Sequence, residues 1–149
     1  MSYRDAVTAD PAPAPYAVSD DPALLDRARI HTWLSEGAYW ALGRTREVQD
    51  AAIDGSLNFG AYDAAGEQVA YARVVTDRVT FAWLCDVFVA PAARGQGVGV
   101  LLLDSVVAAL DAMHLRRAVL ATADAHGLYE RYGFAVVDEP ERWMVRPGS

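Results

Sequence analysis

The spacing of hydrophobic and polar positions changes several times along the chain, and each change predicts an element. Residues 1–15 show little periodicity and carry Pro11, Pro13 and Pro15 at alternate positions, the composition of a disordered leader before a single folded domain over 16–149. Tyr16 to Val18 opens a strand, and Asp21-Pro22 is a helix start with proline at the first position. Leu24, Leu25, Ala28, Trp33 and Leu34 then recur at helical spacing up to Gly37. Thr45 is placed to cap a second helix that runs to Ile53 and stops at Asp54-Gly55.

From Leu57 to Tyr62 the period becomes that of a strand, and Asp63 to Gly66 has the composition of a turn. Residues 68–76 and 79–89 are rich in β-branched and aromatic side chains with Asp77-Arg78 between them, so three consecutive antiparallel strands are expected. A glycine-rich loop after Pro91 leads into Val98, Leu101, Leu102, Val106, Ala109, Leu110 and Met113, one apolar face of a helix. Residues 116–122 read as a strand, 124–132 as a short helix ending at Gly133, and 134–137 and 142–145 as closing strands.

Composition narrows the function. At 149 residues the chain has the size of one domain, and no apolar run approaches the roughly 18 to 20 residues of a membrane span. No secretory signal is visible in the N-terminal residues, and Cys85, the only cysteine, excludes an internal disulfide and a multi-cysteine zinc site; a cytoplasmic location is the expectation. His31, His114 and His126 show no ligand spacing, so no metal is expected. A net charge of −7 argues against a nucleic-acid groove. All 13 basic residues are arginine, which removes a P-loop lysine, a Schiff-base enzyme and a lysine general base.

The loop Arg94-Gly95-Gln96-Gly97-Val98-Gly99 joins a strand to a helix N-terminus, an arrangement that presents free backbone N–H groups to an anion. A tight turn alone would also use such glycines. The glycine spacing does not fit a dinucleotide fingerprint, and it follows antiparallel strands. Arg94, Gly97 and Gly99 do fit the pattern Arg or Gln, two residues, Gly, one residue, Gly or Ala. A second block, from Ala125 through Tyr129 to Gly133-Phe134, stands about thirty residues later. With Val89-Ala90-Pro91 ahead of the loop, the chain resembles the GNAT superfamily of acetyl-CoA-dependent acyltransferases from Tyr16 to Val145.

The resemblance implies an α/β (α+β) fold with a mixed, mostly antiparallel central sheet, splayed near the cofactor and flanked by about four helices. It implies that amides of Gly95, Gln96, Gly97, Val98 and Gly99 hold the coenzyme A pyrophosphate, with the Arg94 and Gln96 side chains beside it. Val87, Phe88 and Val89 would pair with the pantetheine arm as an added strand would. Tyr129 matches the tyrosine that protonates the departing thiolate, though a core role for it is also open. A homodimer is a further expectation from similar proteins.

The acceptor side is less defined. The resemblance implies transfer to a primary amine of a small molecule or peptide. Asp86 interrupts the apolar run from Phe81 to Val89, and a carboxylate there acts as a base or ammonium anchor, or accepts hydrogen bonds from backbone or arginine. Tyr39, Trp40 and Arg44 stand in the variable region of such folds as candidate acceptor contacts, beside a packing role for the two aromatics. His126 shares a helical face with Tyr129 as a candidate relay, and Asp77 could add charge to an amine pocket although a turn explains it. Cys85 lacks a basic neighbour in sequence and reads as core, so transfer should be direct. A non-catalytic acyl-CoA-binding regulatory module, another acyl donor, and a hydroxyl acceptor are the competing readings.

Overall fold

The computed structural model describes residues 15–148. All of the expected leader but Pro15 lies outside them. Five strands form one sheet in chain order: β1 (Ala17–Ser19), β2 (Leu57–Tyr62), β3 (Gln68–Thr76), β4 (Phe81–Val89) and β5 (Arg117–Leu120). The first four are mutually antiparallel and β5 runs parallel to β4. Helices α1 (Arg27–Gly37) and α2 (Arg46–Asp54) precede β2, α3 (Val98–Met113) links β4 to β5, and the short α4 (His126–Glu130) follows. Among the described residues no helix is long and apolar enough to cross a membrane.

Alternation in β3 divides the core between the two faces of the sheet. Ala70, Ala72 and Val74 meet Val98, Leu102, Leu103, Val106 and Leu110 of α3, and the small alanines let that helix lie close. Tyr71, on the other face, packs with Ile30 and Leu34 of α1 and Ile53 of α2. Each such fully buried side chain contributes about 1.5–3 kcal/mol by leaving water.

Local chemistry moved several boundaries. Asp21-Pro22 begins only a 3₁₀ turn, Pro22–Leu24, because Leu25 is extended; the helix starts at a second cap, Asp26, whose carboxylate accepts the Arg29 N–H at 3.0 Å. β4 begins at Phe81 because the Asp77 carboxylate gathers the N–H groups of Val79, Thr80 and Phe81 into a turn with Arg78 at φ 67°. The closing strands expected at 134–137 and 142–145 do not form. Glu139, at φ 54°, and Pro140, which has no N–H, turn the chain between them, and Val136, Met144 and Val145 remain exposed. The sheet therefore ends at β5.

β4 carries the feature that positions the site. It pairs with β3 from Ala82 to Cys85 and again from Phe88, so Asp86 and Val87 stand opposite Ala72 alone. This bulge, with Asp86 at φ 52°, turns the strand over. Leu84 lies in the α3 face of the core and Phe88 in the α1 face, although strand periodicity alone would put them together. On its other edge β4 pairs with β5 only from Phe81 to Leu84, and the two strands part beyond that point.

Candidate active site

The site is built where β4 and β5 separate. Parting leaves the β4 backbone from Cys85 to Val89 without a strand partner on that edge, a row of amide donors and acceptors open to a ligand with its own amides. β4 runs into the 3₁₀ turn Pro91–Ala93 and then the glycine loop. Gly95 and Gly97 lie at φ 77° and 79°, a left-handed backbone that costs an L side chain roughly 1–2 kcal/mol. Their missing Cβ atoms would meet nothing within 4 Å, so the loop faces open space. Gly97 is the residue before α3, whose first N–H groups have no helical acceptor and whose dipole favours an anion.

Arg94 and Gln96 serve the loop itself. Arg94 Nε donates to the Val89 carbonyl at 3.0 Å and its guanidinium lies 5.4 Å from the Phe88 ring centre. Gln96 Nε2 donates to the Ala92 carbonyl at 3.2 Å and its Oε1 accepts from the Tyr16 hydroxyl. Phe88, stacked on Trp33 at 5.7 Å, is buried, so its backbone and not its ring is available to a ligand.

Tyr129 sits in α4, packed against the α3 side of the core. Among the described residues its hydroxyl has no hydrogen-bond partner. Burial raises its pKa above that of an ordinary phenol, and the nearby Asp124 and Tyr39 push the same way. His126 and Tyr129 both line a cavity of about 480 Å³ between α3, β5, α4 and residues 134–137. Its lining includes β5, the strand that parts from β4, and residues 134–137, where closing strands were expected.

Tyr39, Trp40 and Arg44 sit together on the loop between α1 and α2. The loop is tied down by the Gly43 N–H to the Ser35 carbonyl at 3.0 Å and by the His31 ring to the Arg44 carbonyl at 2.8 Å. Tyr39 and Trp40 meet edge to face at 5.0 Å and both are exposed. Trp40 Nε1 donates to Asp86 Oδ1 at 2.9 Å, while Arg44 Nη1 and Arg73 Nε each donate to Oδ2 at 2.8 Å. Asp86 is thus a buried anion held by an indole and two guanidiniums. Burial pushes its carboxyl up, but the bonds and charges of Arg44 and Arg73 outweigh that and hold it below the ordinary carboxylate range. Both oxygens are engaged, an arrangement that speaks for the hydrogen-bond acceptor among the roles weighed from sequence. Asp77 is spent on its turn, its second oxygen accepting from the Thr80 hydroxyl.

Arg73 was not singled out from the sequence. Its signal was there: a cation interrupts apolar β3, and a carboxylate interrupts apolar β4 on the neighbouring strand of the same meander. Gln49 was missed too; it is fully buried and its Oε1 accepts from Arg44 Nη1 at 3.0 Å.

The model of the acetyltransferase (GNAT) domain family matches residues 54–136, from the end of α2 through the splay, the loop and Tyr129. The chain belongs to the GNAT family. A Gibberella zeae protein named "Putative acetyltransferase FG08082" is 35% identical over 133 residues, covering 76% of this GNAT chain and 75% of that one. A crystal structure from Xanthomonas campestris pv. campestris, named as a putative acetyltransferase of the GNAT family, is 47% identical. It covers 89% of this chain and 93% of its own, with a TM-score of 0.85. Rv2747 from Mycobacterium tuberculosis, solved in complex with CoA and NLQ, shares the fold alone, at 19% identity, a TM-score of 0.65 and coverage of 82% and 73%.

Proposed function

We propose that this GNAT acetyltransferase moves an acetyl group from acetyl-CoA directly to a primary amine of a small molecule or peptide. The observation that carries the reading is the continuity of the unpaired β4 edge, Cys85 to Val89, with a left-handed glycine loop at the α3 N-terminus. The residues suit an extended ligand that has amides in its middle and phosphates at one end. Val87 to Val89 would pair with the pantetheine amides, and the N–H groups from Gly95 to Gly99 would hold the pyrophosphate. When bound, acetyl-CoA supplies an acyl carbon activated as a thioester.

Tyr129 is the general acid of this reading. Its raised pKa keeps the phenol protonated at neutral pH, as a proton donor must be. A phenol is a weaker acid than a thiol, and burial weakens Tyr129 further, so passing its proton to the departing thiolate is uphill and is driven by acyl transfer. The acceptor must arrive neutral, and freeing an alkylamine of pKa about 10.4 at pH 7 costs about 4–5 kcal/mol. Asp86, enclosed by its donors, positions Trp40, Arg44 and Arg73 in this scheme and takes no proton.

A thermal-shift titration with acetyl-CoA, followed by thiol release with an amine panel, tests the proposal. Stabilisation near 2.7 kcal/mol at a hundredfold excess over Kd, absent in an Arg94→Ala, Gly97→Glu double variant, is expected together with amine-dependent thiol release. Stabilisation without any turnover would favour a binding module, and no stabilisation of folded protein would overturn the reading.

A further inference from the structure

We propose that the acceptor is an amine that also carries an anionic group, a carboxylate or phosphate, and that Arg44 and Arg73 receive that anion. The proposal rests on the acetyltransferase reading and names the substrate class of the same site. Its basis is a charge imbalance. A buried carboxylate needs one counter-charge, yet the Asp86 side chain, 1% exposed, is paired at 2.8 Å with both Arg44 and Arg73. Among the described residues neither arginine has another acidic partner, so the cluster holds one uncompensated positive charge.

That charge is within reach of a ligand. The Arg44 and Arg73 side chains keep 18% and 14% of their surface exposed. Arg73 uses Nε on Asp86 and Nη1 on Ser56 Oγ at 3.1 Å, which leaves Nη2 without a partner among the described residues. Beside Arg44, the Nε2 group of Gln49 is a buried donor that also lacks an acceptor. A guanidinium with open N–H groups offers the fork geometry that carboxylate and phosphate oxygens fit. In a chain of net charge −7, an isolated positive cluster is not background.

Placement joins the cluster to the chemistry. Asp86 lies on the β4 segment whose edge opens beyond Leu84, and Trp40, bonded to Asp86, meets Tyr39 edge to face. An acceptor whose anion lies on Arg44 and Arg73 can therefore sit against these two exposed rings, beside the β4 segment where the splay opens. The same positive charge disfavours an ammonium, so it also lowers the cost of presenting a neutral amine.

The test compares matched amines in the full chain with CoA or acetyl-CoA present: 4-aminobutyrate against 4-aminobutanamide, and O-phosphoethanolamine against ethanolamine. Binding is read by calorimetry and transfer by thiol release. In the wild type at least one anionic member should exceed its neutral partner by about tenfold or more in affinity or kcat/KM, and the pair that does so separates carboxylate from phosphate. Arg73→Gln should bring that ratio close to one, whatever it does to the rate with the neutral partners. Arg73→Lys, which keeps the charge on Asp86 but not the fork, should retain part of it and covers a failure of Arg73→Gln to fold. Equal use of both members, or no binding of either anion, overturns the inference and leaves acetyl-CoA stabilisation standing. Anion binding with no transfer to any amine sustains the anion site and overturns the acetyltransferase reading.

Discussion

Arg73 and Asp86 are joined across the β4 bulge, Nε to Oδ2 at 2.8 Å, although the register partner of Arg73 is Cys85. The bulge inserts one residue, and that residue is the carboxylate. A left-handed φ at a non-glycine position costs roughly 1–2 kcal/mol, and the donors gathered on Asp86 hold it there. The strand irregularity and the ion cluster are therefore one device, which aims Asp86 at the loop between α1 and α2.

Asp86→Asn should lower stability by about 3 kcal/mol at pH 7, close to 10 °C in Tm, because two guanidiniums lose their buried anion. The sign with pH follows from the depressed carboxyl. Its contribution is complete above the ordinary value of 3.8 and disappears as pH falls through the lower value in the folded chain. Urea unfolding at pH 7 and pH 3 should show the gap between wild type and variant narrowing at pH 3; a constant gap would mean that Asp86 is not the ionised partner.

Tyr129→Phe removes only a hydroxyl that bonds nothing among the described residues, so the fold and the affinity for acetyl-CoA should be preserved. If Tyr129 protonates the leaving sulfur, kcat should drop by about a hundredfold or more with KM for acetyl-CoA unchanged. A variant that keeps full kcat would assign the tyrosine to packing, where its 6.0 Å edge contact with Phe134 already places part of it.

Most of the elements were legible in the chain because each has its own period or cap: the Thr45 cap, the alternation in β2 and β3, and the apolar face of α3 are local signals. The glycine loop was legible for the same reason. Asp86 stood out as a charge in an apolar strand, but its partners lie at long range. Arg44 is forty-two residues away and Arg73 thirteen, and the bulge that lets them meet shifts facing by one residue. The closing strands failed where the pattern was apolar but the chain had no adjacent strand to pair with. Val136 and Val145 have β-branched character, and propensity alone makes no ladder.

Gly97→Ala tests whether the loop's backbone or merely its openness matters. The added methyl has room, since nothing lies within 4 Å of it, so any loss comes from forcing φ 79° on an L residue. Stability should fall by about 1–2 kcal/mol, and CoA affinity should fall with it as the loop relaxes. Gly43→Ala, also at positive φ with open space around it, should cost comparable stability and leave CoA affinity intact. Equal affinity losses in the two variants would detach the glycine loop from cofactor binding.

Cys85 neighbours Asp86 at the point where the splay opens, so its chemistry decides whether an acyl-enzyme intermediate is open to this site. Burial pushes its thiol up to about 11; Arg73 and Arg44 oppose the shift and the charge of Asp86 adds to it. Against an ordinary value of 9.0 this leaves about a hundredfold less thiolate at pH 8, and the thiolate is the nucleophile. Iodoacetamide should alkylate Cys85 in the folded chain about a hundredfold more slowly than after unfolding. Cys85→Ala should transfer acetyl groups at the wild-type rate, and mass spectrometry during turnover should find no acetylated Cys85. A rapid reaction with iodoacetamide together with loss of transfer in Cys85→Ala would replace direct attack by a two-step route.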